Sequence, residues 1–170
     1  MPYYYRGALF LITDYCPNFR IIKISDSSGR LVLKDYYSSR DSLPSWNYGE
    51  IRGGTPLLSR PKAQNAYLYG FVHSHLENYK GYARYYFYTV IRFHPHTKQL
   101  EYYPKPLGES DAEIDNELID LWKQSTGGQM KVVFPIGITH HADGVLVSFG
   151  IDDIRSELRF FKWDYLTSLF

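Results

Sequence analysis

Nine short runs of β-branched and aromatic residues, each closed off by turn formers, govern what this chain can fold into. They span Gly7 to Tyr15, Phe19 to Ser25, Arg30 to Tyr37, Ala66 to His75, Tyr85 to Phe93, Gln99 to Tyr103, Val132 to Thr139, Val145 to Phe149 and Glu157 to Trp163. Residues of this kind suit a pleated, half-buried surface, and runs of this length read as strands. The intervening turns carry fitting chemistry in Ser27-Ser28-Gly29, Pro95-His96-Thr97-Lys98 and Ala142-Asp143-Gly144, the last with an Asp-Gly pair where a hairpin wants positive φ. Antiparallel hairpins, not crossovers, are expected. The 17 Tyr, 10 Phe and 3 Trp make up 18% of the 170 residues and reinforce an all-β reading.

One segment breaks the pattern. Ser110-Asp111-Ala112-Glu113 has the form of a capping box, and Ile114, Leu118, Leu121 and Trp122 follow at helical spacing until Gly127-Gly128. The spacing predicts one inserted α-helix over about residues 110–125. Six acids and no base lie from Glu109 to Asp120, which reads as a solvated helix face. Over the whole chain 19 basic residues meet 18 acidic ones, and a net charge of +1 supplies no field toward nucleic acid or an anionic membrane. Neither is expected as a partner. A hydrophobic content of 44% can bury a core, so a single domain over residues 1–170 is expected. The lone Cys16 cannot form an internal disulfide, and the apolar run Ala8 to Ile12 is too short for a signal-peptide core or a spanning helix. A cytoplasmic protein is the resulting expectation.

Runs that begin at a turn, rise through apolar residues and end in ionisable ones recur three times. The units are GALFLITDYCP with FRIIKISDSSGRLVL, YLYGFVHSH with RYYFYTVIRFHPHTKQLEYY, and GVLVSFGIDD with ELRFFKWDYL. Each opens on a hydrophobic strand that ends in Asp14, in His73 and His75, or in Asp152 and Asp153. In radially repeated sheets such strand ends converge on a central channel, which makes these side chains the site candidates.

Several groups could carry chemistry. His73 and His75 stand two apart, so on a strand they share a face, but no cysteine or acid completes a metal-ligand pattern. Hydrogen bonding is the expected role of His73, and no metal is expected. The pairs His94 with His96 and His140 with His141 give no stronger signal. Asp152 and Asp153 follow Phe149-Gly150, and Asp14 holds the equivalent place in the first unit. Carboxylates beside a cleft are the material of glycosyl transfer, although neighbours on a strand point to opposite faces and turn capping competes as a role for either. Ile51-Arg52-Gly53-Gly54-Thr55-Pro56 brings together a cation, two flexible residues and a hydroxyl, suited to an anion or a sugar hydroxyl. It lacks the helix and lysine of a phosphate-binding loop.

Taken in order, Arg52-Gly53-Gly54-Thr55-Pro56, Tyr69-Gly70-Phe71-Val72-His73-Ser74, Phe134-Pro135-Ile136-Gly137 and Val147-Ser148-Phe149-Gly150-Ile151-Asp152-Asp153 resemble the later blades of five-bladed β-propellers. The group includes the mannoside phosphorylases of glycoside hydrolase family 130 and propeller domains attached to glycosyltransferases. The resemblance implies a partial propeller of about three antiparallel blades. It implies an oligosaccharide or glycoside ligand, with Arg52, Gly54, Thr55, His73 and Asp153 lining the sugar site, and His75 and Asp152, at the same strand ends, join them as substrate-binding candidates. It implies hydrolysis, phosphorolysis or transfer with Asp153 or Asp14 as the acid, no cofactor, and inorganic phosphate as a conceivable co-substrate. The family's early Glu-Asp-Pro-Arg segment, source of its general acid, has no counterpart here, so the chain is expected to lack the early blades. An open array leaves sheet faces uncovered, which leads to the alternative of a non-catalytic module that forms a homodimer or completes a partner's propeller.

Overall fold

The computed structural model describes residues 1–15, 19–39, 46–62, 67–109 and 130–170, and over these the chain is all-β. The first sheet is a meander of β1 (Pro2–Tyr5), β2 (Ala8–Asp14), β3 (Phe19–Ser27) and β4 (Arg30–Ser39), hydrogen-bonded in that order. Two of its hairpins turn through two left-handed residues, Arg6-Gly7 at φ 48° and 75° and Ser28-Gly29 at φ 56° and 76°. Positive φ at both central positions matches the right-handed twist of the flanking strands, and glycine meets the second position without a steric cost.

The second sheet is built on a long hairpin. Two short strands, β5 (Arg52–Gly54) and β6 (Leu58–Ser59), run along one side of β7 (Leu68–Tyr79). On its other side β7 pairs with β8 (Tyr82–His94) through the Lys80-Gly81 turn, at φ 51° and 83°. The far edge of β8 is then lined in succession by β9 (Gln99–Tyr102), β10 (Gly108–Glu109) and β11 (Met130–Lys131). The pairing of β11 with β8 is parallel, a departure from the hairpins expected throughout. The third sheet is the meander β12 (Val133–His141), β13 (Gly144–Ile151) and β14 (Arg155–Lys162), followed by a short helix α1 (Trp163–Ser168).

Alternation along β7 and β8 decides how the sheets assemble, because each strand sends successive side chains to opposite faces. Leu68, Val72, Ile91 and Phe93 point to the first sheet and join Tyr3, Phe10, Ile12, Phe19 and Ile21 in one buried cluster. Tyr69, Phe71, Tyr88 and Val90 point the other way, into a second cluster with Val133, Val145, Val147, Phe149 and Ile151. Trp163 and Leu166 of α1 seal that second cluster. The second sheet is therefore apolar on both faces and lies between the other two. Among the described residues the three sheets close into neither a barrel nor a ring.

Each of the three repeat units supplies the principal strands of one sheet, as β2 to β4, β7 to β9, and β13 with β14. The third unit ends differently, since Trp163 opens a helix and does not end a strand. The Asp-Gly turn also differs in detail, for the positive φ falls on Ala142 at 46°. Gly144 serves another purpose, because a Cβ there would lie 2.2 Å from the Phe161 carbonyl oxygen. The helix expected over 110–125 and Cys16 lie outside the described residues.

Candidate functional site

The site forms at the end of the central hairpin where the third sheet begins. His73 and His75 stand on the β7 face that looks toward that sheet, with the Tyr86 ring of β8 beside them. Tyr86 stacks at 5.1 Å from His75 and 6.1 Å from His73, both with an interplanar angle of 24°. Phe134 of β12 also lies beside His73, ring centroids 6.1 Å apart. These imidazoles do not end their strand, as the repeat suggested. β7 continues to Tyr79 because Leu76 and Glu77 keep pairing with Tyr85 and Arg84 on the way to the Lys80-Gly81 turn.

Arg52 lies directly opposite His73 across the β5–β7 pair. Its guanidinium is half exposed, and the Glu50 carboxylate is 3.9 Å away. The Gly54-Thr55 step that follows is a backbone device. Thr55 is fully buried, its N–H donates to the Phe71 carbonyl at 3.0 Å, and its hydroxyl accepts from the Phe71 N–H at 3.0 Å. The same hydroxyl donates to the Pro56 carbonyl at 2.9 Å, so its hydrogen-bonding capacity is used within the fold. At Gly54 a Cβ would stand 1.9 Å from the Phe71 carbonyl oxygen, and only glycine permits that approach. Arg52 thus faces the site while Gly54 and Thr55 hold its strand in place.

The His73 imidazole is held neutral. Its pKa is pushed down to about 4, chiefly by burial; a backbone hydrogen bond to Gly53 works against this, while the charges of Arg52 and His75 add to it. His75 is shifted in the same direction by burial, Arg52 and Arg84, with Glu77 and Glu50 opposing. The Nδ1 atoms of both rings are buried and have no protein partner. The Tyr3 and Tyr15 hydroxyls and the Trp163 indole N–H share that condition, but Tyr3, Tyr15 and Trp163 belong to the apolar clusters. His73 and His75 instead flank a guanidinium at the edge of the packing.

The aspartates divide by role. The chain turns from β13 to β14 through Asp152 and Asp153, at φ 52° and 55°, closed by the Ile154 N–H donating to the Ile151 carbonyl at 3.1 Å. Asp152 is buried, and its Oδ1 accepts from the Val132 N–H at 2.7 Å, which ties the turn to the link between β11 and β12. Asp153 is exposed and lines an open pocket of about 330 Å³ with Phe134, Ile136, Gly150, Ile154, Arg155 and Ser156. Gly150 leaves room for the Phe134 ring, since a Cβ there would come within 2.6 Å of it. Phe134 therefore links His73 to the pocket that holds Asp153. Asp14 stands apart, exposed at the end of β2 in the first sheet, where its carboxylate accepts from the Thr13 hydroxyl at 3.0 Å.

Arg155 and Ser156 precede the strand expected from Glu157; β14 instead starts at Arg155, which brings both into the pocket lining. His94 and His96 sit at the β8–β9 turn, and His140 and His141 pack on Trp163 and Phe160. Among the described residues no three histidines, cysteines or acids are grouped as metal ligands. No described helix is long and apolar enough to cross a membrane. In comparison with known proteins, no family model, no curated protein and no solved structure matches the chain.

Proposed function

We propose that this chain is a carbohydrate-recognising protein of propeller type, with its three sheets as blades and a glycoside hydrogen-bonded by His73, Arg52 and Asp153. The observation that carries the reading is the buried, unpartnered Nδ1 of a neutral His73 beside an accessible guanidinium. With one ring nitrogen hydrogen-bonded to the Gly53 backbone, the neutral imidazole keeps its Nδ1 as the position that a sugar hydroxyl could complete. Tyr86 and Phe134 offer ring faces beside it for the apolar side of a pyranose. The backbone at Asp153 adds support. In the Arg6-Gly7, Ser28-Gly29 and Lys80-Gly81 turns glycine takes the second left-handed position, whereas here an aspartate takes it at a conformational cost. Such a cost is tolerated where the side chain itself is wanted.

If the bound glycoside is also cleaved or transferred, Asp153 is the carboxylate next to it, and phosphate as co-substrate would be drawn by Arg52. The test is a glycan-binding screen of the folded chain beside His73→Ala. Binding by the wild type that falls at least about tenfold in the variant supports the reading, a loss equal to 1.4 kcal/mol. Equal binding by both chains, or none by a folded wild type, would refute it. A second reading, a non-catalytic module that associates with its own copies, is supported by the exposed Tyr4, Leu31 and Leu33 of the first sheet and Leu158 of the third.

A further inference from the structure

The open pocket at the β13–β14 turn has a chemical character of its own, set by one carboxylate. Strand alternation sorts its lining. Ser156 stands opposite Gly150, and Gly150 opposite Phe134, so these three share one face of the third sheet. Arg155 and Glu157, opposite Ile151 and Phe149, fall on the other face. There Glu157 holds the guanidinium of Arg155 and that of Arg159, each at 3.0 Å. The cation of the lining is therefore engaged by a carboxylate of its own face. Asp153 has no such counterpart, for among the described residues no cationic group forms an ion pair with it.

The remaining walls are carbon. The Phe134 ring rests over Gly150, and Ile136 and Ile154 stand exposed in the same lining. At about 330 Å³ the pocket lies at the small end of the ~300–1,000 Å³ typical of small-molecule sites, a size suited to one sugar unit. A carboxylate without a counter-ion among apolar walls calls for a cation with a carbon body. A divalent metal is a poor match, because calcium takes about six to eight oxygens and zinc about four ligands, while this lining offers one carboxylate and the Ser156 hydroxyl. An alkylammonium needs less. Its N–H donates a charge-assisted hydrogen bond to a carboxylate, and an aromatic face attracts it as well. A plain sugar hydroxyl would be met equally by asparagine, which enters the left-handed backbone region as readily as aspartate. The charge is what aspartate adds at this turn.

From this we infer that the glycoside bound here carries a free amino group, its ammonium on the Asp153 carboxylate and its ring against Phe134. The inference rests on the sugar reading above and narrows it from glycosides in general to basic ones, with Asp153 as the residue that sets the preference. Because Phe134 also lies beside His73, the amino sugar would adjoin the hydroxyls held at that imidazole.

Isothermal titration calorimetry of the full chain tests this with three tetrasaccharide probes on one β-linked glucose backbone. They bear at carbon 2 an amine (chitosan), an acetamide (chitin) or a hydroxyl (cellulose). At about pH 6 an amine is protonated and an ordinary aspartate ionised. The chitosan probe should then bind at least about fivefold more tightly than either neutral probe. Asp153→Asn, shown by circular dichroism to be folded, should bring that ratio to about one. Raising salt to about 1 M should shrink the ratio in the wild type, and this measurement decides the matter if the variant does not fold. Equal binding of the three probes, lost together in His73→Ala, overturns the amine and leaves the sugar reading standing. A preference that survives Asp153→Asn or high salt overturns it too. So does a chitosan probe that fails to bind, and a chain that binds no glycan at all takes the sugar reading down with it.

Discussion

Along β7, neighbouring residues meet opposite fates. Ser74, facing the first sheet, is fully buried, and its hydroxyl accepts from the Trp46 indole N–H at 2.8 Å. His73 and His75, one position away on either side and facing the third sheet, present buried Nδ1 atoms with no partner in the fold. The strand thus closes its polar group on one face and leaves two open on the other. Burying a polar atom without a hydrogen bond costs about 1–3 kcal/mol, and the sugar contact proposed above would offset that cost at His73. On the closed face the Trp46–Ser74 hydrogen bond joins the packing.

The largest effect that would break this contrast is on the closed face. Phe93 has no exposed surface and packs edge-on against Tyr3 and Phe19 at 5.1 and 5.9 Å. Phe93→Ala should lower the stability measured by urea unfolding by about 3–5 kcal/mol. A loss under about 1 kcal/mol would mean that the first sheet is not docked through this face.

The open face should instead respond to pH. His73 has a native pKa near 4 against an ordinary 6.5, so between these values the unfolded chain binds the proton more readily. Its contribution is complete above pH 6.5 and is lost as pH falls toward 4, by about 2–3 kcal/mol, with His75 acting in the same sense. His73→Ala should flatten the profile over that window. An equally steep decline in the variant would locate the proton uptake elsewhere.

The smallest effect sharpens the contrast at Asp153. Replacing it with glycine relieves a left-handed residue, and Asp153→Gly should leave the thermal midpoint unchanged or raise stability by up to about 1 kcal/mol. Glycoside binding should fall nonetheless. A destabilised variant would assign the aspartate to the turn and not to the site.

How much of this was legible in advance differs by element. The long strands were, because period-two alternation and turn residues are local and each strand carries enough of them. β1, β5, β6, β10 and β11 were not, being two to four residues long, too short for a period to register. Of the site, His73, Arg52 and Asp153 stood out by residue type, but Thr55 looked equally suitable. Only the packing shows that its hydroxyl is spent on Phe71 and Pro56. Phe134 as the link between His73 and the Asp153 pocket was not legible either, since β7 and β12 lie some sixty residues apart in the chain.

By itself, the sequence determined that this protein is built of antiparallel hairpins in three similar units, because alternation and turn propensity act between neighbours. Which face of β7 closes and which stays open, and where Arg52 stands relative to His73, were decided by tertiary structure alone. Those outcomes depend on strand register and sheet stacking, and these are set by contacts between residues far apart in the chain.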